Sequence, residues 1–312
     1  MKLRSFASAI AMLAVSTSFA AAAEKVTIMY TATAAFVSAF VAKDQGFFEK
    51  HGLDVTLQLN PNTSLVATAV ASGSAEAGIT TPTVALQAVD NGIPLQAFAG
   101  TNVFPDPSAA GLIASPASGI GGPKDLAGKK IGVPGIGGLL DVVMREWVLV
   151  NGGDPSKINI VEIGLPQTAD VLKSGQVDGV AGVDPFLSRA VDLGAGKVVS
   201  DFTSVIPPGT AGGIFVTTKA WADAHKEAVR GMQTALDEAV AYANANQESA
   251  RASLAKYTTL PPKVVASLKW PNLSTHLSAD RSLAFWNELA VRQKLIGAPV
   301  DLKTFVIPYS GE

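Results

Sequence analysis

Three histidines, His51, His225 and His276, are the whole supply of imidazole in this chain, and it contains no cysteine. Thiolate nucleophiles, disulfides, Cys-ligated metals and lipid attachment at an N-terminal Cys are thereby excluded. No histidine has a second histidine within four residues, and neither H-E-x-x-H nor G-x-S-x-G occurs. His51 precedes Gly52 at an expected helix end and reads as a solvated cap; His225 and His276 fall in polar stretches and read the same way. Asp237 and Glu238 are adjacent on an expected helix and form a solvated face rather than an acid/base pair.

The glycine-rich run Gly132-Val133-Pro134-Gly135-Ile136-Gly137-Gly138 follows an expected strand and opens an expected helix. A dinucleotide fingerprint would need a third glycine where Leu140 stands, and Pro134 interrupts the turn, so a nucleotide site is not expected. What remains is a place where backbone N–H groups at a helix start could hold an anion. Other strand-to-helix junctions, at 31–36, 60–64, 80–83, 167–168 and 184–186, carry small, hydroxyl, amide or acidic residues. In open α/β sheets such junctions surround the ligand site, although Thr, Asn and Asp there can equally cap their own helices. Micromolar binding needs about 8 kcal/mol. Four or five hydrogen bonds to a charged group at roughly 1.5–3 kcal/mol each reach that without a lysine or arginine. Arg145 and Arg189 lie a turn or more inside their helices and are read as structural or rim residues.

The elements that must position these junctions follow from periodicity. Val26–Tyr30 predicts a strand, and Phe36, Val37, Phe40 and Val41 predict a helix that stops at Gly46. Leu53, Val55, Leu57 and Leu59 alternate with polar residues, which predicts a half-buried strand. A helix over 64–72, a strand over 75–80, a helix opened by Thr81-Pro82 and a strand over 95–101 continue the alternation. A parallel sheet covered by helices is therefore expected. From Phe104 to Pro123 the chain turns rich in Pro, Gly and Ser and loses its period, which suggests a crossing between lobes. A second α/β run follows: strands over 130–133, 158–163, 177–183 and 197–200 with helices over 139–150 and 168–174. Pro207-Pro208-Gly209 suggests a second crossing, before a strand from Ile214 and helices over 224–243, 248–256, 262–269 and 280–295. The expected domains are thus a leader at 1–23, a discontinuous first lobe of 24–106 plus 208–312, and a second lobe of 107–207, with a cleft between lobes.

The leader follows from Lys2 and Arg4 ahead of an apolar, small-residue stretch to Phe19 and the cleavage choices in Ala20–Ala23. A periplasmic protein that is not a lipoprotein is expected. The formal net charge is −2, with 24 basic and 26 acidic residues and no basic run, so a nucleic-acid surface is not expected.

Gly46-Phe47-Phe48-Glu49-Lys50-His51-Gly52-Leu53, Gly73 to Pro82, Asp125 to Val133 and Gln176-Val177-Asp178-Gly179 to Asp184-Pro185-Phe186 occur in order. In this order and spacing the chain resembles the periplasmic substrate-binding proteins of ABC importers in the nitrate/sulfonate/taurine class. The resemblance implies a type II periplasmic binding fold, two α/β lobes with a central ligand cleft, and delivery of a ligand to a membrane permease by a monomer without cofactor or catalysis. It also implies ligand contacts at Thr33, Asn62, Thr80, Thr81, Gly137, Gly138, Leu139 and Asp184, with Phe36 and Phe186 as apolar walls. Gly137-Gly138-Leu139 lacks the hydroxyl common at this turn in sulfonate-binding relatives, so the expected ligand is a small organic anion with an apolar or aromatic body. An enzyme on this fold, such as a small-acid dehydratase acting through Asp184, and a ligand-sensing subunit are the alternatives.

Overall fold

The computed structural model describes residues 23–309 apart from 61, 63, 107–109 and 259. All but Ala23 of the expected leader lies outside the described residues. The strands are β1 (Glu24–Tyr30), β2 (Leu53–Leu59), β3 (Ala77–Thr80), β4 (Leu95–Val103), β5 (Ala110–Ala114), β6 (Lys130–Val133), β7 (Asn159–Glu162), β8 (Gly179–Val183), β9 (Lys197–Ser200) and β10 (Ala211–Thr218). They form two five-stranded sheets, ordered β2-β1-β3-β10-β4 and β7-β6-β8-β5-β9. The first sheet thus takes strands from both ends of the chain and the second takes the middle. In β2 the alternation works as read: Leu53 and Val55 are buried while Asp54 and Thr56 face solvent.

Neither sheet is wholly parallel, which corrects the expectation. β10 runs antiparallel to β3 and β4, and β5 runs antiparallel to β8 and β9. The cause is the crossing itself. A chain leaving one lobe at the carboxyl end of a strand enters its neighbour from the cleft side, so the strand it forms must point away from the cleft, against the others. β5 lay hidden in the Pro/Gly/Ser-rich stretch read as pure connection. The two crossings pair with each other: the Phe104 N–H donates to the Thr210 carbonyl at 2.8 Å, and the Gly209 N–H donates to the Phe104 carbonyl at 2.6 Å.

The helices are α1 (Val37–Asp44), α2 (Phe47–Lys50), α3 (Ser64–Ala71), α4 (Pro82–Asp90), α5 (Leu139–Val150), α6 (Thr168–Lys173), α7 (Phe186–Asp192), α8 (Lys219–Ala224), α9 (Lys226–Ala245), α10 (Gln247–Thr258), α11 (Pro262–Ser267), α12 (Ala284–Arg292) and α13 (Leu302–Phe305). A π-helical turn, Ala279–Leu283, leads into α12. In α9, Ala228, Val229, Met232, Ala235, Leu236, Ala239 and Ala243 recur at helical spacing and are buried. Small alanines let α9 lie close on α1. Trp286 of α12 is fully buried, and its indole N–H donates to the Ala211 carbonyl at 2.7 Å, fixing the start of β10. Among the described residues no helix is long and apolar enough to cross a membrane.

Asp44 joins α1 to α10. Its carboxylate accepts from the Lys256 ammonium at 2.6 Å and the Tyr257 hydroxyl at 2.8 Å. Burial works to raise this carboxyl, but hydrogen bonds from Lys256, Tyr257 and Ser253 outweigh it and hold it below the ordinary 3.8. A carboxyl lowered by folding stabilises above its unfolded pKa, and that contribution is lost as pH falls through the folded value. Asp44→Asn is therefore expected to cost about 1 kcal/mol at neutral pH. In urea titrations the gap between variant and parent should close below the ordinary carboxylate range; a gap that is constant with pH would show that ionisation of Asp44 is immaterial.

Candidate functional site

A cavity of about 120 Å³ lies between the two sheets, at the carboxyl ends of their parallel strands. From the first lobe, the turn after β1 supplies Thr31, Thr33, Ala34, Ala35 and Phe36, and the turn after β3 supplies Thr81. The end of β4 and the first crossing supply Asn102, Phe104 and Asp106, and β10 supplies Gly212. From the second lobe come Ala110, then Pro134, Gly135, Gly138, Leu139 and Leu140 after β6, Leu165 after β7, and Val183 and Asp184 at the end of β8. The lobes meet beside it, where the Gln87 amide donates to the Gly137 carbonyl at 2.9 Å.

Of the expected ligand residues, Thr33, Phe36, Thr81, Gly138, Leu139 and Asp184 line this cavity. The Thr33 hydroxyl accepts from the Ala35 N–H at 3.4 Å, while Thr81 makes no side-chain cap to α4 and keeps its hydroxyl beside that of Thr83. Four expected residues lie elsewhere. Thr80 is fully buried behind Thr81, with a hydroxyl that has no hydrogen-bond partner among the described residues. Asn62 is half-buried on the loop before α3, with its N–H given to the Asn60 side chain at 2.9 Å. Phe186 is 4% exposed and packs into the same apolar cluster as Tyr30 and Phe36, because the first turn of α7 faces the core rather than the opening.

Gly137 is the most instructive departure. The anion seat expected at the glycine-rich turn is already occupied by the protein's own carboxylates. The Gly137 N–H donates to Asp141 Oδ2 at 2.9 Å, the Ile136 N–H donates to Glu162 Oε1 at 2.9 Å, and the Gly138 N–H donates to the Gly135 carbonyl at 3.1 Å. Asp141 is 2% exposed, sits in the first turn of α5, and complements the positive end of that helix. Gly137 has φ +74°, so the glycine is demanded by the turn, and a Cβ there would also displace the Gln87 amide, 2.8 Å away.

Sequence reasoning missed Asn102, Phe104, Asp106 and Gly212. Phe104 and Asp106 lie in the first crossing, and Asn102 and Gly212 lie at the ends of β4 and β10 that adjoin the crossings. A chain that passes twice between two lobes must floor the cleft, so the crossing sequence itself was the available signal. Asn102 is 4% exposed; its carbonyl oxygen accepts from the Thr101 hydroxyl at 2.8 Å and its amide donates to the Asp106 carboxylate. Asp184 Oδ1 accepts from the Ser188 N–H at 3.0 Å and the Ser188 hydroxyl at 2.8 Å, so it caps α7 from beyond the helix start. Among the described residues no cluster of three His, Asp or Glu side chains could hold a metal ion.

The geometry matches solved proteins. The alkanesulfonate-binding protein SsuA from Xanthomonas axonopodis pv. citri, bound to MOPS, has a TM-score of 0.78 at 22% identity, covering 92% of this chain and 99% of that one. The periplasmic aliphatic sulphonate binding protein SsuA from Escherichia coli gives 0.73 at 21% identity over 90% and 97%. The periplasmic nitrate-binding protein NrtA from Synechocystis PCC 6803 gives 0.76 at 15% identity over 89% and 84%. These likenesses establish the periplasmic-binding-protein fold. A curated relative, the 4-amino-5-hydroxymethyl-2-methylpyrimidine phosphate synthase of Schizosaccharomyces pombe (strain 972 / ATCC 24843), is 27% identical over 155 residues, or 50% of this chain and 43% of the synthase. The match thus spans less than half of that relative's length. Residues 33–250 fit the family model described as NMT1/THI5 like, and the chain belongs to that family.

Proposed function

We propose that this protein is the extracytoplasmic solute receptor of an ABC importer: exported by its leader, it captures a small organic solute between its lobes and presents the closed form to a membrane permease. The observation that carries this reading is the cavity drawn from both sheets, since contacts from two lobes exist together only when the lobes approach, and that difference drives closure. The named solutes of the similar structures, alkanesulfonates and nitrate, support a receptor of this kind. Its size, about 120 Å³, is close to the ~150 Å³ cavity that accommodates benzene, which suits a ligand of one small ring or a short chain. The lobe limits 24–106 plus 208–312 and 107–207, the periplasmic location and action as a monomer belong to the same proposal. Binding rather than turnover is favoured because Asp184, the candidate acid of an enzymatic reading, is engaged by Ser188, and no nucleophile stands hydrogen-bonded to a base among the described lining residues.

The expected ligand, a small organic anion, belongs to this proposal and is supported by the sulfonate and nitrate binders among the similar structures. The N–H groups of Gly137 and Ile136 are given to Asp141 and Glu162, so such a ligand is held by other groups of the lining, among them the hydroxyls of Thr31, Thr33 and Thr81.

Closure is testable because the chain has no cysteine, so an introduced pair is unique. Ser72 on the first lobe and Ser174 on the second are exposed. With both changed to Cys and spin-labelled, a cell extract of small solutes is expected to shorten the inter-label distance measured by pulsed EPR. A distance that no solute fraction changes would refute the receptor reading.

A further inference from the structure

We infer that the lobes part on one face of the molecule only, and that Phe186, which stands outside the cavity lining, holds that face shut and sets how much of the receptor is closed before a solute arrives. The inference rests on the receptor reading above and names the moving contact of that same cleft.

The apolar cores decide which face moves. Successive side chains of a strand point to opposite faces, and both sheets divide their residues accordingly: Ile214 and Val216 of β10 enter one cluster and Phe215 another, and Leu112 and Ile113 of β5 separate likewise. On the face of α4, α5 and α12 the lobes share one core, in which Leu140, Val143 and Met144 of the second lobe are buried in the same cluster as Leu86, Trp286 and Leu289 of the first. On the opposite face the cores are distinct. Phe40, Phe98 and Phe215 belong to a cluster of the first lobe, and Val171, Leu172 and Leu187 to one of the second. Phe186 is what joins them. It is the single residue of 107–207 among the described buried members of the first lobe's cluster, and Leu165 is the single one of 107–207 packed against that cluster from outside.

Polar contacts follow the same division. The described side-chain hydrogen bonds between lobes fall on the shared face: Gln87 donates to the Gly137 carbonyl at 2.9 Å, Gln293 to the Val142 carbonyl at 2.9 Å, and Arg292 to Glu146 Oε1 at 2.8 Å. Glu146 is 6% exposed, so parting there would strand a buried charge without its partner, a strongly unfavourable step. Trp286 ties the same α12 to the start of β10, which keeps this face close to the crossings. Parting of the other face takes only Phe186 and Leu165 out of the first lobe's apolar cluster. It also widens a space that already exists. A cavity of about 480 Å³, lined by Leu187, Ser188 and Val191 of the second lobe and Lys269 of the first, shares Asp106, Ala110 and Asp184 with the inner cavity. That space is the mouth, and Phe186 sits beside it. A contact that exists only in the closed state raises the closed fraction, and the apparent affinity for every solute scales with that fraction.

Two spin-label pairs test this in a chain that has no cysteine of its own. Val191→Cys with Ser267→Cys spans the mouth, and Leu149→Cys with Glu288→Cys spans the shared face; all four positions are exposed. In the solute-free protein, pulsed EPR across the mouth is expected to show a short main distance and a longer one populated to at most about 10%. Phe186→Ala should raise the ratio of long to short about tenfold. Leu165→Ser, at a half-buried position, should shift the ratio the same way, and neither change should move the pair on the shared face. A mouth distribution that both substitutions leave unchanged overturns the inference, as does a shared-face pair that lengthens as much as the mouth pair. The small-solute extract separates the two readings: fractions that shorten the distance from Ser72 to Ser174 while Phe186→Ala leaves the mouth unchanged refute the role of Phe186 alone, whereas distances that no fraction alters refute the receptor reading itself.

Discussion

Trp286→Ala is expected to lower stability by about 3–5 kcal/mol, the range found when a buried large aromatic is truncated. Its ring is fully buried, packs edge-on against Phe285 with centroids 5.0 Å apart, and its N–H holds the Ala211 carbonyl. Set against a total of roughly 5–15 kcal/mol for a folded domain, this loss removes a large share of the margin. Trp286→Phe keeps most of the packing and forfeits the hydrogen bond, so it should cost far less, about 1–2 kcal/mol. Thermal melts followed by circular dichroism compare the three proteins. Equal melting temperatures for parent and Ala variant would show that α12 does not anchor β10.

Asp141→Ala should cost about 3 kcal/mol, since the carboxylate is buried and holds both the Gly137 N–H and, at 2.6 Å, Arg145 Nε. Its second consequence is more diagnostic. Removing this carboxylate empties the seat at the start of α5, where a free anion can then bind. Sulfate at ten times its dissociation constant would restore roughly 1.4 kcal/mol. Sulfate is therefore expected to raise the melting temperature of Asp141→Ala well beyond any effect on the parent, with chloride at matched ionic strength as control. An equal response in both proteins would mean that Asp141 does not block the seat.

Much of the architecture was legible because periodicity reports burial directly. The alternating β2, the helix opened by Thr81-Pro82 and the glycine-rich turn ahead of α5 lie where their residues placed them. β5 was not legible. Its residues, Ala110–Ala114, sit in a stretch dominated by Pro, Gly and Ser, and a five-residue apolar run inside a strand-to-strand crossing has no period of its own. At the site, the turns after β1, β3 and β6 were found from residue type, yet the use of their N–H groups was not. Gly137 reads as open backbone in one dimension; only the fold brings Asp141 back over it and Glu162 across from β7's end. Phe186 failed for a similar reason, since an aromatic at a helix start can face a cleft or the core, and packing chooses.

Phe104 makes both hydrogen bonds that join the two crossings, and it also lines the cavity. In the proposed receptor, the pivot on which the lobes swing and the surface that meets the guest are consequently one ribbon. Substitutions that retune selectivity at this floor must also alter how readily the jaws shut, so in this molecule the choice of cargo and the tempo of capture can be expected to change together.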